Sequence, residues 1–139
     1  MRGIDTLIRL HRQHLDAKRV YRTNLDAQRI GLEQRAFAMR QEMADERKIA
    51  AESLAVRQTL AAYAERMTDS LKALAAEMIK IDAEVERINE EIAEAFQTLK
   101  GYELTRDARL KKLADEQARR DRTELDAIGA VQHRRKKTA

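Results

Sequence analysis

Two histidines, His11 and His14, lie three residues apart in the segment HRQHLD, so that on a helix both could reach one metal ion. A stable site needs three or four protein ligands, and no third ligand is evident on this basic segment. We therefore expect one histidine to lie in a helix contact and the other at the surface. The sequence predicts no metal site.

No other residues form a recognisable catalytic set. The chain has no cysteine, no glycine-rich phosphate loop and no nucleophile beside an obvious base. Carboxylates are plentiful, but on an exposed helix nothing excludes water from them, so general acid–base catalysis is not expected. The sequence therefore predicts a protein that is not an enzyme and that uses no cofactor.

The composition is typical of long helices. Among 139 residues there is no proline and no tryptophan, only 4 are glycine, 37% are charged and 4% are aromatic. No apolar run approaches the length of a membrane span, and the first residues are too charged for a signal peptide. Together with the lack of cysteine, these features predict a cytoplasmic protein without disulfides.

A heptad repeat dominates the second half of the chain. Thirteen successive heptad positions between residues 60 and 102 are all apolar or aromatic. They are Leu60, Ala64, Met67, Leu71, Leu74, Met78, Ile81, Val85, Ile88, Ile92, Ala95, Leu99 and Tyr102. A repeat of this length predicts a helix that packs lengthwise on another helix.

The first part of the chain keeps the same repeat less completely. Its apolar positions are Ile4, Ile8, Leu15, Leu25, Leu32, Ala36, Met39 and Met43. His11, Lys18, Arg22 and Arg29 interrupt this stripe, and it lapses at Glu46, Ala50, Ser53 and Arg57. Two architectures fit this pattern: one continuous helix that dimerises in parallel, or a chain that folds back on itself. The absence of glycine and proline near the lapse counts against a turn.

Charge favours the folded-back chain. Lysine and arginine outnumber aspartate and glutamate by 9 to 4 in residues 1–40, are outnumbered 8 to 13 in residues 41–100, and again exceed them by 11 to 7 in residues 101–139. A turn centred near residue 49 would place the first basic block against the acidic block. A parallel dimer would place each block against itself, which opposes pairing.

The predicted fold is therefore all-α, an antiparallel two-helix coiled-coil hairpin with a longer second helix that projects beyond the first. We expect one elongated domain over residues 1–139 that is a monomer when free. The expected parts are helix 1 at about 3–46, a turn at about 47–53, helix 2 at about 54–134 and a basic tail at 134–139. Ser53 is a candidate cap for helix 2.

The cations in the stripe have a role in this arrangement. Lys18, Arg22 and Arg29 can lay their alkyl stems on the contact and direct their charges toward acids of the other helix, including Glu77 and Asp82. Such exposed pairs would select the register, while burial of isoleucine, leucine and methionine supplies most of the stability.

The second helix is expected to be unpaired from about residue 95 onward, because the first is shorter. Beyond that point the apolar residues no longer keep one heptad phase. Three acid-before-base pairs at i,i+4 would support the helix instead: Asp107 with Lys111, Asp115 with Arg119, and Glu116 with Arg120. Gly101 and Gly129 would be its weak points.

The chain ends in the basic segment HRRKKTA. Such a cluster can bind nucleic acid or anionic lipid. A zipper-type DNA reader joins its basic region directly to the dimerising heptads, whereas here a long stretch without a single phase intervenes. We therefore expect no nucleic-acid partner and interpret the segment as a solvated terminus that offsets the helix dipole.

Both ends of the sequence resemble the FliJ family of flagellar export proteins. The opening LIRLHRQHLDAKRVYRTNLD resembles that family's apolar, arginine-rich start with its L-D-x-K-R run. The closing FQTLKGYELTRDARLKKLADEQARRDRTELDAIGAVQHRR resembles its second helix, which ends in an E-L-D-x-I-A segment before a basic tail. The likeness covers nearly the whole chain, and Glu124 to Ile128 after ARRDR is its most specific part. Gly129 departs from the pattern.

This resemblance implies a stalk-like antiparallel coiled coil in the cytoplasmic part of the flagellar type III export apparatus. Its partners would be the hexameric export ATPase, the cytoplasmic domain of the export gate, and export chaperones. It would promote both the assembly and the activity of the ATPase. It would meet the membrane only through these partners, at the cytoplasmic face of the inner membrane.

The resemblance also implies sites. A stalk presents its terminal end to the ATPase ring, and the candidates for that contact are Arg106, Arg109, Arg119, Arg120, Leu125 and Ile128. The gate would be met near the turn, where Tyr63 matches the aromatic at the start of the family's second helix and Met67 follows one turn later. Three alternatives are a generic coiled-coil scaffold, the stalk protein of a virulence injectisome, and a helical protein that binds nucleic acid or lipid.

Overall fold

The computed structural model describes residues 2–138, which fold into two helices. Helix α1 spans Arg2–Glu52 and helix α2 spans Leu54–Thr138. No strand occurs among these residues. The predicted all-α fold with a longer second helix is confirmed.

Three boundaries differ from the prediction. Helix α1 continues through Glu52 rather than ending near residue 46, and Ser53 is the one residue outside both helices, so the turn is shorter than the expected 47–53. Helix α2 runs through Thr138, so the basic residues 134–137 are helical rather than part of a separate tail. Basic residues in the last turn are favourable there, because they face the negative end of the helix dipole.

Helix α1 continues beyond the predicted end because Ala50, where the apolar stripe was expected to be interrupted, is a buried position. The Ala50 residue is only 2% exposed, so this small side chain is covered near the reversal. With alanine at residues 50 and 51 and no glycine or proline before Ser53, nothing in the sequence breaks the helix earlier.

Backbone and side-chain hydrogen bonds together close the turn. The Ser53 N–H donates to the carbonyl of Ala50 at 3.4 Å, and the Ser53 carbonyl accepts from the Arg57 N–H at 3.3 Å, which is how an N-cap residue begins a helix. The Arg57 side chain donates to the carbonyls of Ala50 at 3.1 Å and Ala51 at 3.2 Å. Across residues 2–138 no residue has positive φ, so the reversal needs no glycine.

Residues 14–95 form one compact unit, which contains the turn. Its buried apolar residues lie on the predicted stripe: Leu15, Leu25, Ala36, Ala50, Leu74 and Ile88. Basic residues outnumber acidic ones by 6 to 3 in residues 14–40, and the reverse holds by 3 to 8 in residues 69–95. The two helix segments of this unit therefore carry opposite net charges.

Polar contacts within this unit show that the helices are antiparallel. The Lys18 Nζ lies 3.2 Å from Glu91 Oε2, and the Arg29 Nε lies 2.6 Å from Asp82 Oδ1. Lys18 and Arg29 were expected to direct their charges toward acids of the other helix, and they do so, toward Glu91 and Asp82. Arg22 is exposed and forms no ion pair within the part of the chain that the structure describes.

The register differs from the one expected. These contacts centre the reversal near residue 55 rather than near residue 49. The difference follows from the length of α1, because each residue added to the first helix before the turn moves the pairing along the second.

Residues 2–13 and 96–138 belong to a second compact unit. Ile4, Ile8 and Leu99 are buried in it. The ring of His11 stacks on that of Tyr102 with centroids 4.9 Å apart. None of the thirteen heptad residues between 60 and 102 is exposed, in either unit.

Candidate functional site

Helix pairing continues past the expected residue 95, since Arg12 Nη2 lies 3.1 Å from Glu103 Oε1. The last part of α2, residues 107–138, is exposed at almost every position, and we name it the exposed arm. Every residue in it except the half-exposed Glu116 is exposed. Large apolar side chains in the arm face solvent, with Leu125 at 66% and Ile128 at 55% exposure. Helices with this much uncovered apolar surface commonly bind a partner.

Local side-chain bonds accompany the arm's helix. Gln117 Nε2 donates to Asp121 Oδ1 at 3.0 Å, and the Thr123 hydroxyl donates to the Arg119 carbonyl at 2.9 Å. The three acid-before-base pairs that we expected here do not form ion pairs in the structure. The arm therefore has few specific contacts of its own.

Five of the six residues implied as ATPase-facing lie in the arm and are exposed: Arg109, Arg119, Arg120, Leu125 and Ile128. Arg106 precedes the arm and is half-buried, with its Nε 3.2 Å from Asp107 Oδ1. Its side chain is thus partly engaged by a neighbouring carboxylate.

These residues do not share one surface. Arg119 and Arg120 line a shallow depression with Thr123, whereas Ile128 lines a separate depression with Val131. Because successive helix residues are offset by about 100°, residues at these spacings lie on different sides of the arm. A flat partner could cover only part of the set, whereas a partner that encloses the arm could contact all of it.

Tyr63 and Met67, implied as gate-facing, are both half-buried on the contact side of α2. Tyr63 lies in a shallow depression near the turn that is also lined by Glu46, Leu60 and Arg66. Its hydroxyl oxygen is buried and has no hydrogen-bond partner among the described residues. Burial, followed by the negative charge of Glu42, raises the pKa of Tyr63.

A chain of polar contacts links the two helices in the middle of the 14–95 unit. The Tyr21 hydroxyl donates to Glu84 at 2.9 Å, and Arg87 bonds both Glu84 and Glu91, with the Nε–Oε2 distance to Glu84 at 3.0 Å. Lys18 reaches the other oxygen of Glu91. The hydrogen bond from Arg87, and then that from Tyr21, lowers the pKa of Glu84 to about 2. The network favours one register over its neighbours.

Two of these features were missed from the sequence. Tyr21 lies outside the apolar stripe, and the heptad repeat predicts that such residues face solvent. Arg57 interrupts the apolar stripe, and the heptad pattern alone gives it no role. A long basic side chain one turn into a helix can nevertheless reach back to the end of the preceding helix. The spacing of seven residues between Ala50 and Arg57 was the available signal.

No metal centre or membrane span is present in the described residues. Within residues 2–138 no three histidine, aspartate or glutamate side chains come together in a way that could hold a metal ion. His11 packs on Tyr102 as described, and His14 lines a shallow surface depression with Tyr21. Neither helix, over the same residues, contains a stretch apolar enough to cross a bilayer.

The chain matches no family model, no curated protein and no solved structure.

Proposed function

We propose that this chain is a stalk-like adaptor of the bacterial flagellar type III export apparatus and belongs to the FliJ family. It binds and activates the hexameric export ATPase, and it connects that ATPase to the cytoplasmic domain of the export gate and to export chaperones. It does so without catalysis or a cofactor, in the cytoplasm at the inner face of the membrane. The resemblance of both sequence ends to this family motivates the proposal.

The exposed arm is the observation that carries the proposal. At 1.5 Å per residue, residues 107–138 extend for roughly 50 Å as a single helix. Basic and apolar side chains are distributed around this helix rather than gathered on one face. Such a distribution suits insertion into a ring, whose subunits would surround the arm.

The turn end of the hairpin supports the proposed gate contact. Leu54 is 78% exposed and Ile49 is 51% exposed, so two apolar side chains lie in solvent near the depression that contains Tyr63. In this proposal the gate domain covers them together with Tyr63 and Met67. The two partners would then bind at different parts of the molecule.

The decisive experiment measures phosphate release by the cognate export ATPase as the purified chain is titrated in. The wild-type chain should raise the turnover. The double variant Arg119→Glu with Arg120→Glu should reduce this activation at least tenfold, because two negative side chains replace the cations that contact the ring.

A matched control carries the same charge change on the hairpin, in Arg35→Glu with Lys72→Glu. Both control residues are exposed. The control should activate the ATPase normally, and circular dichroism should show that both double variants remain helical. The proposal would be overturned if the wild-type chain did not change the ATPase turnover. It would also be overturned if the control variant lost as much activation as Arg119→Glu with Arg120→Glu.

A second candidate function rests on the basic end of the arm, where Arg134 to Lys137 are helical and exposed. This end could bind nucleic acid or anionic lipid. Binding to DNA or to anionic vesicles that weakens steeply with salt, without any effect on an ATPase, would favour that candidate. The injectisome stalk shares the proposed geometry, and preferential activation of an injectisome ATPase over the flagellar one would assign the chain to that system.

A further inference from the structure

The side of α1 that faces away from α2 carries a second heptad repeat. Starting at Val20 and alternating steps of three and four residues to Ala51, every position is uncharged except Lys48. All of these positions are exposed. Val20 is 60% exposed, Ile30 53% and Phe37 62%. An exposed helix side in so charged a chain would ordinarily be charged, so the pattern indicates a second contact surface.

This outer stripe is distinct from the contact that closes the hairpin. Each outer position lies two residues before a position of the buried stripe, as Gln34 does before Ala36 and Phe37 before Met39. Two residues correspond to about 200° around a helix. The outer stripe therefore points nearly opposite to the buried one, and α2 cannot cover it.

Charges along one edge of the outer stripe identify what can cover it. The residues that directly precede four of its positions are Asp26, Glu33, Arg40 and Arg47, each seven residues from the next. All four are exposed. Such edge positions in coiled coils determine the partner and its orientation. From Asp26 to Arg47 the order along this edge is acidic, acidic, basic, basic; Arg19, seven residues earlier, lies outside the segment that these four residues pair.

This order of charges matches a second copy of the same edge only when the two helices run in opposite directions. In an antiparallel pair of α1 helices, Asp26 would meet Arg47 of the second copy, and Glu33 would meet Arg40 of the second copy. Two-fold symmetry repeats both contacts, which gives four opposite-charge pairs and no like-charge pair. A parallel pair would place each charge against itself.

The same register also packs the outer stripe. It places Phe37 over Gln34 of the second copy, and Ala27 over Ala44 of the second copy. Each bulky side chain then faces a flexible or a small side chain of the second copy, and no two bulky side chains compete for the same space. The two-fold axis passes between residues 35 and 36.

We propose that two folded hairpins associate reversibly through the outer stripes of their α1 helices, in antiparallel orientation. The interface is isologous, because each copy contributes the same surface. Only three large apolar side chains per copy enter it, so it is smaller than a standard stable interface and forms only at raised protein concentration. The monomeric hairpin remains the folding unit. This inference stands independently of the proposed function.

Sedimentation velocity of the full chain over a wide concentration range tests the association. The wild-type mass should be 16.0 kDa when dilute and should rise toward twice that value when concentrated. An acidic-edge variant, Arg40→Glu with Arg47→Glu, should associate with itself at least tenfold more weakly. A basic-edge variant, Asp26→Lys with Glu33→Lys, should do the same.

Mixing the two variants provides the decisive comparison. An equimolar mixture should form the heterodimer, and the chain with all four reversals should recover self-association. Arg29 also pairs with Glu33 within α1, so thermal melts must first show that each variant keeps the hairpin. A wild-type chain that stays at 16.0 kDa at every concentration would overturn the proposal, and so would a mixture that does not associate.

Cross-linking tests the orientation, since the sequence has no cysteine of its own. Mixed Ala27→Cys and Ala44→Cys chains should form disulfide-linked dimers between the two variants. Each variant alone should cross-link poorly. Efficient linkage of Ala27→Cys to itself would indicate a parallel pair and contradict the proposal.

Discussion

The side chain of Arg57 donates a hydrogen bond from Nε to the carbonyl oxygen of Ala50 across 3.1 Å, so that the start of α2 caps the end of α1. The last carbonyl groups of any helix lack intrahelical partners. Many helices satisfy them through a glycine with positive φ, which this turn does not contain. A long side chain from the following helix takes over that role.

Replacing Arg57 by alanine should therefore destabilise the hairpin. Loss of the hydrogen bonds to the carbonyls of Ala50 and Ala51 should lower the free energy of unfolding by about 1–2 kcal/mol. Urea denaturation followed by circular dichroism measures this change. Lys72→Ala removes an exposed cation from the same helix and should have little effect, and equal losses in the two variants would contradict the capping role.

The ion pair of Arg29 with Asp82 should be exchangeable. Arg29→Asp alone and Asp82→Arg alone should each lower the melting temperature, because each leaves two like charges in contact. The double variant should recover most of the loss. Since both side chains are partly exposed, each loss should be smaller than that caused by Ile88→Ala, which empties a buried position. Additive losses in the double variant would show that the two residues do not interact.

Acid should destabilise the hairpin through Glu84. Its pKa is lowered from 4.5 to about 2 in the folded chain, so its stabilising contribution is complete above pH 4.5 and is lost as the pH falls toward 2. Glu84→Gln should therefore flatten the decline of the urea midpoint over this interval. Glu86→Gln, at an exposed neighbouring position, should leave the decline unchanged. Identical pH profiles for wild type and Glu84→Gln would contradict the assignment.

Gly129 should be replaceable by alanine with a gain in helix stability. A methyl group at this position would meet no atom within 4 Å apart from the neighbouring residues and the nearby backbone of its own helix, and alanine in a helix interior is favoured over glycine by about 0.5–1 kcal/mol. Far-ultraviolet circular dichroism should show more helix at elevated temperature. The reverse change at the next residue, Ala130→Gly, should reduce it, and a loss of helix in Gly129→Ala would indicate a close contact that the open surroundings exclude.

The sequence was sufficient for the helices and their relative orientation, since thirteen successive heptad positions and opposite charge blocks leave few alternatives. It was insufficient for the register. Ala50 looked like a gap in an apolar stripe because alanine contributes little to such a pattern, yet the residue is buried near the reversal. Hydrophobic periodicity measures side-chain bulk and not whether a small side chain is covered.

The candidate binding residues were predictable only in part. A stretch of charged helix beyond the heptads indicated an exposed arm, and Arg119 and Ile128 are indeed exposed there. Periodicity could not show that they belong to different depressions. The outer stripe of α1 is not predictable from the sequence alone, because a pattern that includes glutamine and threonine is weak until the exposure of Ile30 and Phe37 is known.

The single-residue turn at Ser53 limits how this chain can change length during evolution. Within residues 14–95 every cross-helix contact pairs a position before the turn with one after it, so an insertion in one helix alone would shift all pairs beyond it. Length can change there only by matched insertions on both sides of the turn, preferably of whole heptads. Residues 107–138 carry no such constraint, so homologues are expected to differ in length mainly within this segment.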